Sequence, residues 1–497
     1  MVISKRTYCQ VALVLVLLLI NGQWSMVNSQ HTVRLDLDRT ISLATDSSYS
    51  AQKYQSVYDA SLFNFLSWQA SRKVQISLES SPVQYERYIT QRYVSEVDVD
   101  IYREQRMLYS QAGIHAEQPI EMLGGSLYGS TQLGYMRTFG SSSATQFMTV
   151  PISIGYKQDL LGFNGLKWNR RIEPLKLALA EKQLAYNTEL ASVEAVAKFF
   201  ALALAQDQLR MSEEYIASCD TIYSIAEKRY KIASISKAEL SILELEKVNA
   251  RNTLANARIA KQQTMQDLAS YLGMDLNTNI ELVIPSDLAN LKISTEDAIA
   301  FARDNNPMYL SAQQQTLEAK MTAERARVEK NLSMSINASV GLNQVADNFA
   351  DAYRRPLVQD MATIKVSIPL KDWGKRKNAY LAAQSQVEAA EKTELETARI
   401  TELDVLNSVT EFNERQAIVE TSRQALTIAE NAYTATLQRF IRAQANVNDL
   451  SLAQSHWQTA RQNQIASLQH YWAAYYHLRC ITLYDFQRKE TIRHNRQ

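Results

Sequence analysis

Glycine and proline are missing from long stretches of this chain. From Lys375 to the C-terminus there is neither, and from Leu166 to Leu272 the only one is Pro174, near a helix start where proline is tolerated. Without breakers these tracts cannot be a succession of short elements. They are rich in Ala, Leu, Glu, Gln, Lys and Arg, and apolar residues recur at three- and four-residue steps, as at Leu240, Leu243 and Val405, Val409, Phe412. Each tract reads as long helices packed side by side.

Cysteine is scarce too. Cys9 precedes an apolar run and leaves with it, so a mature chain keeps Cys219 and Cys480, which excludes a disulfide framework. If the helices align at their turns, these two lie roughly 28 Å apart at about 1.5 Å per residue, so both are expected to stay free. No excess of one charge exists: 53 basic residues face 52 acidic ones, which gives no electrostatic reason for a nucleic-acid partner. Nor is there a long hydrophobic run. Val11 to Ile20, preceded by Lys5 and Arg6, is too short to span a bilayer and reads as a signal peptide over 1–29, cleaved after Ser29 with Val27 two positions earlier. After residue 30 no stretch of about 18 apolar residues occurs, so membrane insertion would have to use strands. A Gly-rich phosphate loop, a nucleophile elbow and a metal-spaced His/Cys cluster are all missing; His456, His470 and His477 lack an acidic partner at ligand spacing. No enzyme, cofactor or metal site is expected.

What is present is alternation and duplication. In "SMSINASVGLN", Met334, Ile336, Ala338, Val340 and Leu342 take one parity and Ser335, Asn337, Ser339, Gly341 and Asn343 the other, which is a strand with one apolar and one wet face. Its twin is "VQISLES" (Val74 to Ser80), 258 residues earlier, and "LDLDRTISLA" matches "ISTEDAIAFA" at the same offset. Downstream the offset is 210: Arg229-Tyr230 matches Arg439-Phe440, and Leu240-Ser241 matches Leu450-Ser451. The 48 residues of difference are an insertion between about Ser80 and Val150, a window rich in Tyr and Gly that looks like further strands or a long hairpin.

Each repeat then reads as helix, strand, variable loop, strand, long helix, turn, returning helix. The first covers 30–272, with strands near 74–80 and 150–158, a long helix over 166–231 and a return over 237–272. A connector follows at 273–294. The second repeat covers 295–486, with strands near 333–343 and 362–370, a long helix over 375–442 and a return over 447–480; 487–497 is a polar tail. The long helices would reach roughly 100 Å at 1.5 Å per residue, lengths that belong to a coiled bundle or a tube. Two strands per repeat are too few to seal their own edges in lipid, so several chains must pool them; three chains would close a 12-stranded barrel, apolar parity outward and wet parity on a watery lumen. The competing reading is a secreted coiled-coil structural or adhesion protein with a small soluble β-sheet.

The order and spacing of "VPISIGYKQDLLGFNGLKWNRRIEPLKLALAEKQL", "RYKIAS…ELSILELEKVNA" and "IPLKDWGKRKN", with the duplication, resemble the outer-membrane efflux protein (TolC) family over nearly the whole mature chain. "GFNGLKW…IEPLK" is similar to the version found in Bacteroidetes. The resemblance implies a mainly α fold with membrane β: a duplicated helix-strand-strand-helix protomer, three of which form a barrel continued by an α-helical periplasmic tunnel. It implies an exit duct in the outer membrane of a Gram-negative cell, serving a tripartite efflux or type I secretion system with a periplasmic adaptor and an inner-membrane transporter. By the same resemblance the helix-to-helix turns form the periplasmic tip, where the adaptor docks. Ala233, Ser234, Ala443 and Gln444 lie in those turns; Ala233 and Ala443 stand where the family usually has glycine. Asp449 matches an acidic residue of the family's tip constriction and Glu239 is its counterpart in the first repeat. Under threefold symmetry they would ring the axis with carboxylates, attracting cations and gating the pore; equally, each is a first-turn acid favoured by the helix dipole.

Overall fold

The computed structural model describes residues 32–94, 98–140, 143–233, 235–285, 291–442 and 444–492. The signal peptide expected over 1–29 and the last residues of the polar tail lie outside them. The chain opens with β1 (Thr32–Asp36), α1 (Leu37–Asp46) and α2 (Tyr49–Ser71). Then come four strands, β2 (Gln75–Val94), β3 (Val99–Ile120), β4 (Gly125–Phe139) and β5 (Ala144–Asp159). Two helices follow, α3 (Gly165–Lys231) and α4 (Lys237–Tyr271). The second half holds β6 (Asn279–Val283), α5 (Thr295–Asn305), α6 (Pro307–Glu329), β7 (Ser333–Ala346), β8 (Leu357–Ser367), α7 (Lys375–Ile441) and α8 (Val447–Thr482), and ends in a small hairpin, β9 (Tyr484–Asp485) with β10 (Glu490–Thr491).

The duplication governs these boundaries. α3 and α7 each have 67 residues, and both ends of α7 fall 210 residues after those of α3; α6 follows α2, and β7 follows β2, at 258. The repeats are nonetheless not the packing units. One compact unit combines Met1–Tyr49, Glu194–Leu288 and Glu420–Gln469; the other combines Ser50–Val193, Ala289–Val419 and His470–Gln497. Each takes segments of both repeats because α3 and α7 are unbroken through the division.

In the first unit, Leu35, Ala195, Leu202, Leu268 and Ile280 form one buried cluster. It is roofed by a parallel pair, β1 on β6, with Thr32 opposite Asn279 and Asp36 opposite Val283. The amide of Gln206 donates to the Ile280 carbonyl at 2.6 Å. The connector expected at 273–294 therefore contains a strand. Five residues with a single buried position carry too little periodicity to be told from a loop.

The second unit holds a six-stranded antiparallel meander in the order β2-β3-β4-β5-β7-β8. This corrects the count of four strands per chain, on which the figure of twelve for three chains rested. The inserted window is a hairpin, β3–β4, that enters the sheet between the two strands of the first repeat. Helices α2, α3, α6 and α7 all join the same end of the sheet, while the turns after β2, β4 and β7 lie at the other. In this unit α8 packs through "YWAAYYHL": Tyr471 and Tyr475 are fully buried, their rings 5.3 and 5.7 Å from that of Phe412. The Arg479 guanidinium pairs with Glu189 at 3.0 Å and Asp485 at 3.2 Å, and Tyr475 donates to Asp485 at 2.9 Å.

Candidate functional site: the paired helix turns and the two-faced sheet

The turns come first. Both return helices begin with an acid three residues after the cap. The backbone N–H of Ser236 donates to the Glu239 carboxylate at 2.8 Å, while Ser236 Oγ accepts from the Glu239 N–H at 3.2 Å, a reciprocal capping box. Asn446 and Asp449 repeat it: Asn446 Oδ1 accepts from the Asp449 N–H at 2.8 Å and the Asp449 carboxylate accepts from the Asn446 N–H at 3.3 Å. The Ser236 backbone holds the Glu239 carboxyl below the usual glutamate range. Both acids thus serve as first-turn capping residues within the chain.

Each long helix closes differently before its turn. Ala233, just past the end of α3, has φ of +54°, a left-handed conformation that glycine adopts without strain and alanine does not. The Gln444 N–H donates back to the Arg439 carbonyl at 2.8 Å, the six-residue closure of a helix end. Ser234 and Ala443 lie outside the described residues. The two turns are brought together: Ile222, Ala226, Leu243, Phe440, Val447 and Leu450 form one buried cluster from all four helices. Tyr433 stacks on Trp457 at 5.2 Å. Arg229 fastens this assembly. Its guanidinium donates to the Phe440 carbonyl at 2.8 Å and the Ile441 carbonyl at 3.1 Å, and lies 5.2 Å from the Phe440 ring. Its repeat counterpart Arg439 instead donates within its own turn, to the Gln444 carbonyl at 3.3 Å. The repeat marks Arg229 as one of a pair, but pairing alone does not reveal that the first copy reaches across and the second does not.

The sheet keeps its two faces most clearly on β5, β7 and β8. Met334, Ile336 and Ala338 on β7 stand opposite Val366, Ile364 and Ala362 on β8, and Val340 and Leu342 stand opposite Ile154 and Ile152 on β5. Asp360, opposite Val340, breaks this face near the end of β8 that lies away from the helices. The wet face continues from Ser335, Asn337 and Ser339 through Lys157, Gly155 and Ser153 to Tyr128 and Glu117. Here Lys157 pairs with Glu117 at 2.9 Å and Tyr128 donates to Asn337 at 2.8 Å. Two tyrosines lie flat on this face because glycines leave room beneath them. A Cβ at Gly155 would collide with the ring of Tyr128, and one at Gly134 would sit 3.0 Å from the hydroxyl of Tyr109.

Aromatic rings mark both ends of the apolar face. Tyr135, Phe147, Phe349 and Tyr353 form a chain of ring contacts at the end away from the helices. Trp373 is 85% exposed where β8 passes into α7, with Leu370 bare beside it. From Phe147 to Tyr156 is nine residues, about 30 Å along a strand and about 23 Å in height at a tilt of about 40°. Both cysteines are free and buried, and burial pushes the Cys480 thiol up to about 12. Among the described residues, no group of His, Cys, Asp or Glu could hold a metal ion and no helix is long and apolar enough to cross a membrane.

Comparison with known proteins gives a consistent outcome. Residues 298–482 match the family model described as outer membrane efflux protein. No curated protein matches in sequence. Among solved structures the chain is similar to the Vibrio cholerae outer membrane protein VceC (TM-score 0.63, 13% identity, 90% of this chain and 95% of that one). It is also similar to the Campylobacter jejuni CmeC outer membrane channel (TM-score 0.66, 11% identity, 90% and 85%) and to a membrane protein from Pseudomonas aeruginosa (TM-score 0.65, 13% identity, 92% and 93%). At such identities these likenesses establish the fold.

Proposed function

We propose that this chain, of which residues 298–482 match the outer membrane efflux protein family, is the protomer of a passive exit duct in the outer membrane. The observation that carries the reading is the six-stranded sheet. One face gathers the apolar residues of β5, β7, β8 and the start of β2, with aromatic rings at the end away from the helices, the other face is wet there, and among the described residues β2 and β8 each pair on one side only. Lipid tolerates no open strand edge, so the sheet reaches the membrane only by closing with other copies. Helix α2 points the same way: its 23 residues include no buried one, and Val57, Phe63 and Leu66 are exposed, although its twin α6 packs Ala312 and Thr316 inside. Three copies bury these surfaces against one another, with the helices as the periplasmic continuation of the wall.

Transport then needs no chemistry from the chain. Energy and choice of cargo come from an inner-membrane transporter, joined through a periplasmic adaptor that docks on the tips around Ala233 and Gln444. Asp449 and Glu239 from three copies place carboxylates around the tip. Both carboxylates also cap their helices, Asp449 with Asn446 and Glu239 with Ser236, and Asp449 is the more exposed of the two. The cargo is a small molecule or a secreted protein.

The test is fractionation followed by reconstitution of the full chain. An outer-membrane fraction that resists carbonate, and stepwise conductance in planar bilayers that grows less cation-selective with Asp449→Asn, are the expected results. A chain recovered soluble and monomeric without detergent overturns the reading.

A further inference from the structure

We infer that the closed wall has eighteen strands, six from each of three copies, with β8 of one copy paired to β2 of the next. The inference rests on the proposed channel and goes beyond it in naming the seam and the width. The β3–β4 hairpin is part of the wall and not a flap upon it. β3 is in register with β2 from Glu117 opposite Gln75 to Val99 opposite Val94, and with β4 from Ile120 opposite Gly125 to Arg106 opposite Phe139. β4 is then in register with β5 from Gly125 to Thr138. Removing the hairpin from the sheet would open two complete ladders.

The free edges suit one another. An even number of strands makes β2 and β8 run in opposite directions, so one copy after another extends the sheet with the same antiparallel alternation. The faces agree as well. Ile76 and Leu78 on β2 continue the apolar side of Val366, Ile364 and Ala362 on β8, whereas Ser77 and Glu79 share the wet side with Thr363 and Lys365. β8 is exposed along its entire length. Glu79 and Lys365 have opposite charges, and neither has an ion-pair partner among the described residues, so the seam offers each a counter-charge. A second copy of this chain is the occupant that supplies direction, face and charge together.

Width follows from the count. Barrel diameter grows roughly linearly with strand number, and walls of about 16 to 18 strands enclose open water. Eighteen strands give a mouth about half as wide again as twelve. Tyr109 and Tyr128, lying flat over glycines, keep that mouth clear.

Two measurements test this on the full chain in outer membranes. Cysteines are introduced pairwise, at Ser77 or Glu79 together with Thr363 or Lys365, and oxidised in situ. The expected product is a covalent trimer from at least one pair, with no product from either single substitution. Electron microscopy of the extracted assembly then counts strands. Eighteen in a three-copy ring supports the inference. Three copies with twelve strands, the hairpin folded out of the wall, overturns it and leaves the channel standing, as does a twelve-stranded ring of two copies. An assembly with no ring overturns both.

Discussion

Arg229 is the side chain whose loss should change the turns most while leaving the wall alone. It donates to the Phe440 and Ile441 carbonyls, which end α7 and have no acceptor role within that helix. A cation is favoured at that end by the helix dipole as well. Hydrogen bonds to a charged group contribute about 1.5–3 kcal/mol and a cation–π contact about 0.5–1 kcal/mol. The turn is only part-buried, so water replaces much of this in Arg229→Ala. A net loss of about 1.5 kcal/mol is expected, which is roughly a tenfold rise in local opening.

The assay is amide hydrogen exchange on the detergent-extracted assembly, read on peptides spanning 436–446. Arg229→Ala should exchange roughly tenfold faster there, with the strands unchanged. Arg229→Lys keeps the charge but loses the planar guanidinium, whose Nη2 reaches both carbonyls while its face meets the Phe440 ring, so it should fall between. In cells, faster opening should admit large antibiotics that the wild-type outer membrane excludes. Exchange in Arg229→Ala equal to wild type, or Lys and Ala variants that behave alike, would refute the reasoning.

Three further expectations follow from other contacts. Ala233→Gly relieves a left-handed alanine that costs about 1–2 kcal/mol and gives back about 0.4–1 kcal/mol in unfolded-chain entropy, so exchange over 229–236 should slow about four-fold, whereas Ala233→Val should speed it. Asp207 is 6% exposed and accepts from Arg461 at 2.8 and 3.0 Å, with Arg210 also at 2.7 Å. Arg461→Met strands most of that charge, so the denaturation midpoint should fall by an amount corresponding to about 2–3 kcal/mol, and adding Asp207→Leu should recover part of it. Glu239 has a depressed folded pKa, so its cap is complete above the ordinary glutamate value of 4.5 and is lost as pH falls through the lower folded value. Exchange over 236–242 should therefore rise in that acid window in the wild type and lose the step in Glu239→Gln.

Much of this was legible because the chain was written twice. The offset of 210 fixed α3, α7 and both turns, since a tract without glycine or proline has few places to stop. Alternation likewise exposed β7, where Ser335, Asn337, Ser339, Gly341 and Asn343 fill the wet positions. It failed in the inserted window. On β3 and β4 the outward side carries Ser110, Gly129 and Thr131, and the wet side carries Tyr109, Tyr128 and Met136, so polarity does not sort by parity. The faces are distinguished there by glycine–tyrosine cross-strand pairs, a three-dimensional relation with no sequence period. Arg229 was missed for a different reason: its acceptors are backbone carbonyls, which any sequence supplies.

The insertion also shows what such a wall can accept. Helices α2 and α3 must both leave from the helix end of the sheet, because their twins α6 and α7 do so around β7 and β8. A single extra strand would deliver α3 to the opposite end and reverse the edge that meets the next copy. Two extra strands preserve both, and the added turn then falls at the helix end, at 121–124. There it is tied in: Asn164, at the start of α3, donates to the Glu121 carbonyl at 2.9 Å, Gln158 donates to the Leu123 carbonyl at 2.7 Å, and Arg72 pairs with Glu121 from the end of α2. In the proposed wall, a hairpin inserted in each copy adds six strands to a ring of three and leaves unchanged the end of the sheet from which α2, α3, α6 and α7 depart. A variant lacking 99–139 with β2 rejoined to β5 keeps the direction of every remaining element, and should assemble as a narrower ring that still carries intact turns.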